Sequence, residues 1–199
     1  MRNPALFQAL HEHYKETFAD IREHIKQRDM FFIGILIFLT IVLFQAFSPD
    51  EYKQLIGQVL AKQLETKAKI DVGFLSSLSL FILLYLVLRY CQLSVIIERR
   101  YNYIQELESE LSKKFTNKKM FTREGGAYLQ NYPKISNWAH WIYTSVFPCA
   151  LLLCVAINFV SNWQLVTCER VFGGIINTVL DGLITITVLL YMYNRYFEQ

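Results

Sequence analysis

The sequence predicts an all-α membrane protein with four transmembrane helices, an amphipathic N-terminal helix and a long cytoplasmic extension of the second span. Three observations carry that expectation. Of 199 residues, 53% are hydrophobic and only 19% are charged, below the roughly 25% of a soluble domain. The charge is also unevenly placed: segments 31–47, 72–88 and 142–160 contain no Asp, Glu, Lys or Arg, and 171–193 contains one Asp. Each segment approaches or reaches the roughly 20 residues that an apolar helix needs to cross a bilayer. Between them, apolar residues recur at helical rather than strand spacing. With a net charge of +3, this composition excludes a strongly basic nucleic-acid binder, a disordered chain and a disulfide-stapled secreted module.

Residues 1–29 alternate five basic and five acidic groups, unlike the basic n-region and short apolar core of a signal peptide. The first span, 30–47, is therefore expected to be retained. Phe7, Leu10, Tyr14, Phe18, Ile21 and Ile25 are spaced three and four apart, so an amphipathic helix runs into that span, with Asp29 and Met30 at the water boundary. His11, His13 and His24 lie off the stripe, as solvated polar positions do.

The first external segment, 48–71, opens Ser48-Pro49-Asp50-Glu51. Ser at the N-cap, Pro at the first helical position and Glu at the third form a helix-start signal. Tyr52, Leu55, Ile56, Val59, Leu60 and Leu64 then make one apolar face. Such a helix lies on the outer leaflet or packs over the mouth of the bundle, the interfacial placement being the simpler.

The second span, 72–89, has no breaker at its end. From residue 72 to about 115 there is no Pro and only Gly73, so about 40 helical residues would reach about 60 Å and leave the bilayer. Ile97, Tyr101, Ile104, Leu107, Leu111 and Phe115 keep a near-heptad stripe, with Glu98, Arg99, Arg100, Glu106, Glu108 and Glu110 around it. The stripe is expected to pack on the N-terminal helix as a cytoplasmic stalk within segment 90–141; self-association is the sharper alternative. Glu106, Glu108 and Glu110 are candidates for docking a cytosolic protein.

Beyond Thr116, the Gly125-Gly126 pair and Pro133 break the helix. The glycines lack the GxxxxGK[ST] spacing, and no buried strand precedes them, so this is no phosphate-binding P-loop. Lys113, Lys114, Lys118, Lys119 and Arg123 place five positive charges in eleven residues. Next to an anionic inner leaflet each close charge is worth about 1 kcal/mol, so Lys118, Lys119 and Arg123 are candidate lipid contacts. Tyr101, Tyr103, Tyr128 and Tyr132 offer stacking surfaces for nucleic acid, but that partner is the lesser alternative.

Spans three (142–160) and four (171–193) flank a short external loop, 161–170, and a tail, 194–199, follows. Fifteen Lys and Arg fall on the side of the termini and five on the other, which predicts both termini in the cytoplasm. Trp138, Trp141 and Tyr143 before the third span suit an interfacial aromatic belt, as do Tyr191, Tyr193 and Tyr196 ending the fourth. Pro148 predicts a kink in the third span.

Asp181 is the one ionisable group well inside a span, where an ionised carboxylate costs about 3 kcal/mol on insertion scales and faces a bundle interior or water. Asn177, Asp181 and Thr185 recur every four residues on one face, and Gly174, Thr178 and Gly182 form an adjacent small-residue face that permits close helix approach. Ser76, Ser77 and Ser79, Thr40 and Gln45, and Asn158 lie in the external halves of the other spans. Asp181, Asn177, Thr185, Ser77 and Asn158 are thus the candidate intramembrane polar site. It serves either as hydrogen-bonded glue or as the lining of an ion or proton path.

Cys91, Cys149, Cys154 and Cys168 form no CxxC pair and have no His-rich neighbourhood, so no metal and no cofactor are expected. HExxH, GxSxG and Rossmann glycine patterns are absent, as is an Arg five to seven residues before any His. The chain is not expected to be an enzyme.

The amphipathic N-terminal helix, the helical extension around Glu98-Arg99-Arg100-Tyr101 and the stretch Phe121-Thr122-Arg123-Glu124-Gly125-Gly126-Ala127-Tyr128 carry a resemblance. With Asn131-Tyr132-Pro133 and Asn137-Trp138, they resemble small four-span bacterial inner-membrane proteins found as accessories or effectors in antiphage defence systems. The resemblance covers most of the chain architecturally and about a tenth of it at motif level. It implies a membrane-seated component that works with a cytosolic protein and perturbs the membrane when triggered; apart from the resemblance, a homo-oligomer formed through the spans is expected.

Overall fold

The computed structural model describes residues 4–64, 72–113, 135, 138, 141–165 and 171–197. Among them every residue but Ser48 is helical. Helix α1 (Pro4–Phe47) is followed by α2 (Pro49–Leu64) and α3 (Val72–Lys113). A π-helical turn, Ile142–Val146, leads into α4 (Phe147–Leu165), and α5 (Val171–Phe197) ends the series. Four segments are long and apolar enough to cross a membrane: Gln8–Phe47, Gly73–Ser109, Ile142–Trp163 and Gly173–Phe197. This is the all-α, four-span protein that the charge-free segments predict.

The break between α1 and α2 falls at Ser48. Its N–H donates to the Phe44 carbonyl and its own carbonyl accepts from Tyr52, both at 3.0 Å. Pro49 has no N–H to offer the Gln45 carbonyl, so the first helix cannot continue through it. Asp50 and Glu51 in the first turn of α2 and Lys62 in its last turn complement the helix dipole. Tyr52 is buried, in edge contact with Phe44 at 5.9 Å, while Leu55 and Val59 remain about half exposed. The apolar face of α2 is thus anchored at Tyr52 in its first turn and open at Leu55 and Val59.

The chain divides into two compact units, Met1–Met30 with Gln92–Ile142, and Phe31–Cys91 with Tyr143–Gln199. The second unit is the apolar bundle. Its core takes Ile35, Leu39 and Val42 from α1, Leu80, Leu83, Leu84 and Val87 from α3, Leu151 and Val155 from α4, and Leu180, Ile184 and Val188 from α5. Side-chain pairs fix the directions. Ser77 meets Asn177 and Tyr90 meets Tyr191, one register for a parallel pair, α3 and α5. Phe32 meets Phe147 and Ala46 meets Ser161, which makes α1 and α4 parallel. Ser145 with Tyr196 and Asn158 with Asp181 run α4 against α5. Gly34 lets α3 approach α1: a Cβ there would lie 3.4 Å from Leu86 Cδ1.

The irregularity expected at Pro148 lies just before it. Pro148 cannot donate to the Thr144 carbonyl, and its ring crowds the preceding turn. The chain accommodates it with the wider π-helical turn Ile142–Val146. Beside that turn, Phe32, Tyr90, Phe147 and Tyr143 form an aromatic cluster with centroid separations of 4.8–6.1 Å.

The first unit joins the charged part of α1 to the extension of α3, as the paired stripes predict. Ile21, Leu93, Ile97, Ile104 and Leu107 are buried. Three residues depart from the expected stripes. Thr17 is buried between Tyr14 and Ile21, its hydroxyl satisfied by the His13 carbonyl at 2.8 Å. Glu108 is also buried, at 4% exposure, whereas Tyr101 is exposed. Eleven residues make three helical turns, so Glu108 falls on the line of Ile97.

Candidate functional site

The polar residues of the bundle form two couplets rather than one continuous stripe. The Asn158 Nδ2 of α4 donates to both carboxylate oxygens of Asp181 on α5, at 3.1 Å each. One helical turn along α5, Asn177 accepts from the Ser77 hydroxyl of α3 at 2.6 Å and donates to Ser76 Oγ at 3.4 Å. Asn158, Asn177 and Asp181 are buried, Asp181 at 2% exposure. The four-residue spacing of Asn177 and Asp181 puts both on the inner face of α5. Three helices are thereby cross-braced through that one face.

The other expected members do not join. Thr185 lies on the same face, but its hydroxyl donates to the Asp181 backbone carbonyl at 2.8 Å. Ser79 is likewise returned to its own helix, at Leu75 O, and Thr40 is exposed and bonded to Leu36 O. In helices these hydroxyls reach the carbonyl four residues back, which removes them from networking. The small-residue face also departs from expectation. At Gly182 it is open: a Cβ there would meet nothing within 4 Å, beside exposed Val179 and Ile186, while Gly174 and Thr178 are half-buried.

In the first unit polar contacts cross from α1 to α3. His13 Nε2 pairs with the Tyr103 hydroxyl at 2.9 Å, the Tyr14 hydroxyl donates to Glu108 at 3.1 Å, and Asp20 forms an ion pair with Arg100. His24 Nδ1 lies 2.7 Å from the Asp20 carbonyl. His13 and His24 are therefore engaged, not merely solvated as expected. Of the docking candidates, Glu106 is exposed, but Glu108 belongs to the helix–helix contact and presents no free surface. The side chain of Glu110, and Lys118, Lys119 and Arg123, lie outside the described residues. Sequence reading missed an open groove along α1. Tyr14 and Phe18 line it with the exposed Lys15, Ala19, Arg22, Glu23 and Lys26, and the Arg22 guanidinium sits 4.7 Å over the Phe18 ring. Its signal was the 15-19-22-26 spacing of small and charged residues beside the aromatic stripe.

Among the described residues no three His, Cys, Asp or Glu side chains gather as a metal site, and Cys91, Cys149 and Cys154 are free thiols. No family model, no curated protein and no solved structure matches this chain.

Proposed function

We propose that the chain is a non-enzymatic, multi-pass sensor or effector of the bacterial inner membrane, with both termini cytoplasmic. It docks a cytosolic protein on its first unit and oligomerises through its spans. The observation that carries this reading is the built character of that unit. A buried Glu108 held by Tyr14, the His13–Tyr103 contact and the Asp20–Arg100 pair fix two charged helices side by side. Beside them lies the basic and aromatic groove of Lys15, Phe18, Arg22 and Lys26. Exposed charge over a rigid aromatic floor is the makeup of a protein-docking face. Anionic inner-leaflet lipids are the second partner, met by the basic segment after α3. Antiphage defence, acting by membrane perturbation, is the setting that the architectural resemblance suggests.

The competing reading makes the bundle a small ion or proton channel with Asp181 on its path. It is the weaker one, because Asp181 is almost wholly enclosed with both oxygens on Asn158, and Phe32, Tyr90 and Phe147 fill the bundle further along. The two separate by native mass spectrometry of the complex drawn from its own host membrane in mild detergent. The docking reading expects a bound cytosolic protein that Lys15→Glu with Arg22→Glu releases, while Asp181→Asn keeps it. A bare complex whose activity survives the double reversal and is lost with Asp181→Asn overturns docking in favour of conduction.

A further inference from the structure

Spans in hydrocarbon must satisfy their polar groups within the protein, because the lipid offers no partner. The two couplets do so. Three other buried atoms of the bundle do not: Gln45 Nε2 and Oε1, and Asn162 Nδ2, have no hydrogen-bond partner among the described residues. They are neighbours by register. The Ser161 hydroxyl donates to the Ala46 carbonyl at 3.4 Å, so Gln45 and Asn162 flank a single contact between parallel helices. Asn162 follows Asn158 by one turn on α4, about 6 Å along the axis, and Asn158 holds Asp181.

Buried polar atoms are rarely left unpaired in a native fold, and bound water or an ion is one way in which they are satisfied. A water molecule needs two to four polar partners; the amides of Gln45 and Asn162 supply donors and an acceptor, and Asn162 stands one turn from the Asn158 that holds Asp181. We propose that water enters the bundle at the end where α1 gives way to α2, binds Gln45 and Asn162, and reaches the Asn158–Asp181 pair. The site is a blind hydrated vestibule that takes water and, through it, protons. Buried Val42, Leu151 and Val155 close it beneath. It is independent of any partner docked on the first unit.

The test uses the full chain in lipid vesicles with its four native cysteines replaced and single cysteines introduced. Gln45→Cys and Asn162→Cys should react with a membrane-impermeant cationic thiosulfonate at least about tenfold faster than Val42→Cys or the lipid-facing Ile37→Cys, since the reacting thiolate forms in water. Rates equal to those two controls would overturn the vestibule. Radiolytic hydroxyl labelling of the unsubstituted chain, in which bound water oxidises the side chains beside it, does not depend on any variant folding. Oxidation at 44–46 and 159–163 above that at 35–39 is expected, and equal oxidation overturns the proposal.

Discussion

At the scale of single residues, the Asn158–Asp181 couplet decides how the bundle tolerates an acid. Interhelical hydrogen bonds in membranes average about 0.6 kcal/mol, because the separated helices also find partners. Removing a partner from a buried group costs more, about 1–3 kcal/mol. Asn158→Ala takes away the amide that reaches both Asp181 oxygens, so it should destabilise the folded chain by about 1–3 kcal/mol. Asp181→Asn keeps a side chain that still accepts from Asn158 and should cost less than about 1 kcal/mol. The Asn158→Ala, Asp181→Ala double variant should recover part of the Asn158→Ala loss, because the two sites share one interaction. Unfolding of the reconstituted chain in a detergent titration measures all three. If Asp181→Asn proves the costlier single change, the carboxylate does something that an amide cannot, and glue is the wrong description of it.

At the scale of elements, helix existence was legible in the sequence and helix contact mostly was not. The charge-poor segments marked the four helices long and apolar enough to cross a membrane, and Ser48-Pro49 marked the break before α2, because a missing N–H is a local fact. Side-chain pairing is not local. Nothing in the spacing of Ser76 and Ser77 tells that they face Asn177 rather than Asp181, or that Thr185 bonds its own helix. Glu108 reads as surface in the sequence because charge usually is; its place on the line of Ile97 depends on the three-turn repeat and on Tyr14 across the contact. Gly34 shows how one small residue sets an element pair. Its missing Cβ would sit 3.4 Å from the flexible end of Leu86, so alanine should fit with a slight shift. The helix-propensity gain of up to about 1 kcal/mol then makes Gly34→Ala neutral or mildly stabilising. Gly34→Leu has no such room and should cost about 1–3 kcal/mol by overpacking. Thermal unfolding of the two variants, run side by side in one detergent, checks the contrast; equal effects would mean that α1 and α3 do not meet at Gly34.

At the scale of the whole molecule, the open question is what the outward faces of the spans touch. Exposed Ile175, Val179, Leu183 and Ile186 on α5 need nothing but lipid, and hydrophobicity gives no preference for protein over acyl chains within the bilayer. Association there depends on close backbone approach, for which small residues are required. Gly182 provides such a notch: it is exposed, a Cβ on it meets nothing within 4 Å, and Val179 and Ile186 border it. Within one protomer, Gly182→Leu therefore creates no clash, and its helix propensity favours the folded state by up to about 1 kcal/mol. Any loss it causes must arise between copies. If the spans associate through α5, Gly182→Leu should turn the oligomer into monomers in native mass spectrometry while leaving the protomer's melting temperature unchanged or raised. Gly182→Ala should retain most of the assembly, since one methyl group fills the notch only partly. An oligomer that survives the leucine places the seam elsewhere, and α1 is then the next element to test, because its span has the smallest buried share of the four at 11%. A monomer in both the parent chain and the variant removes self-association from the proposed mechanism altogether.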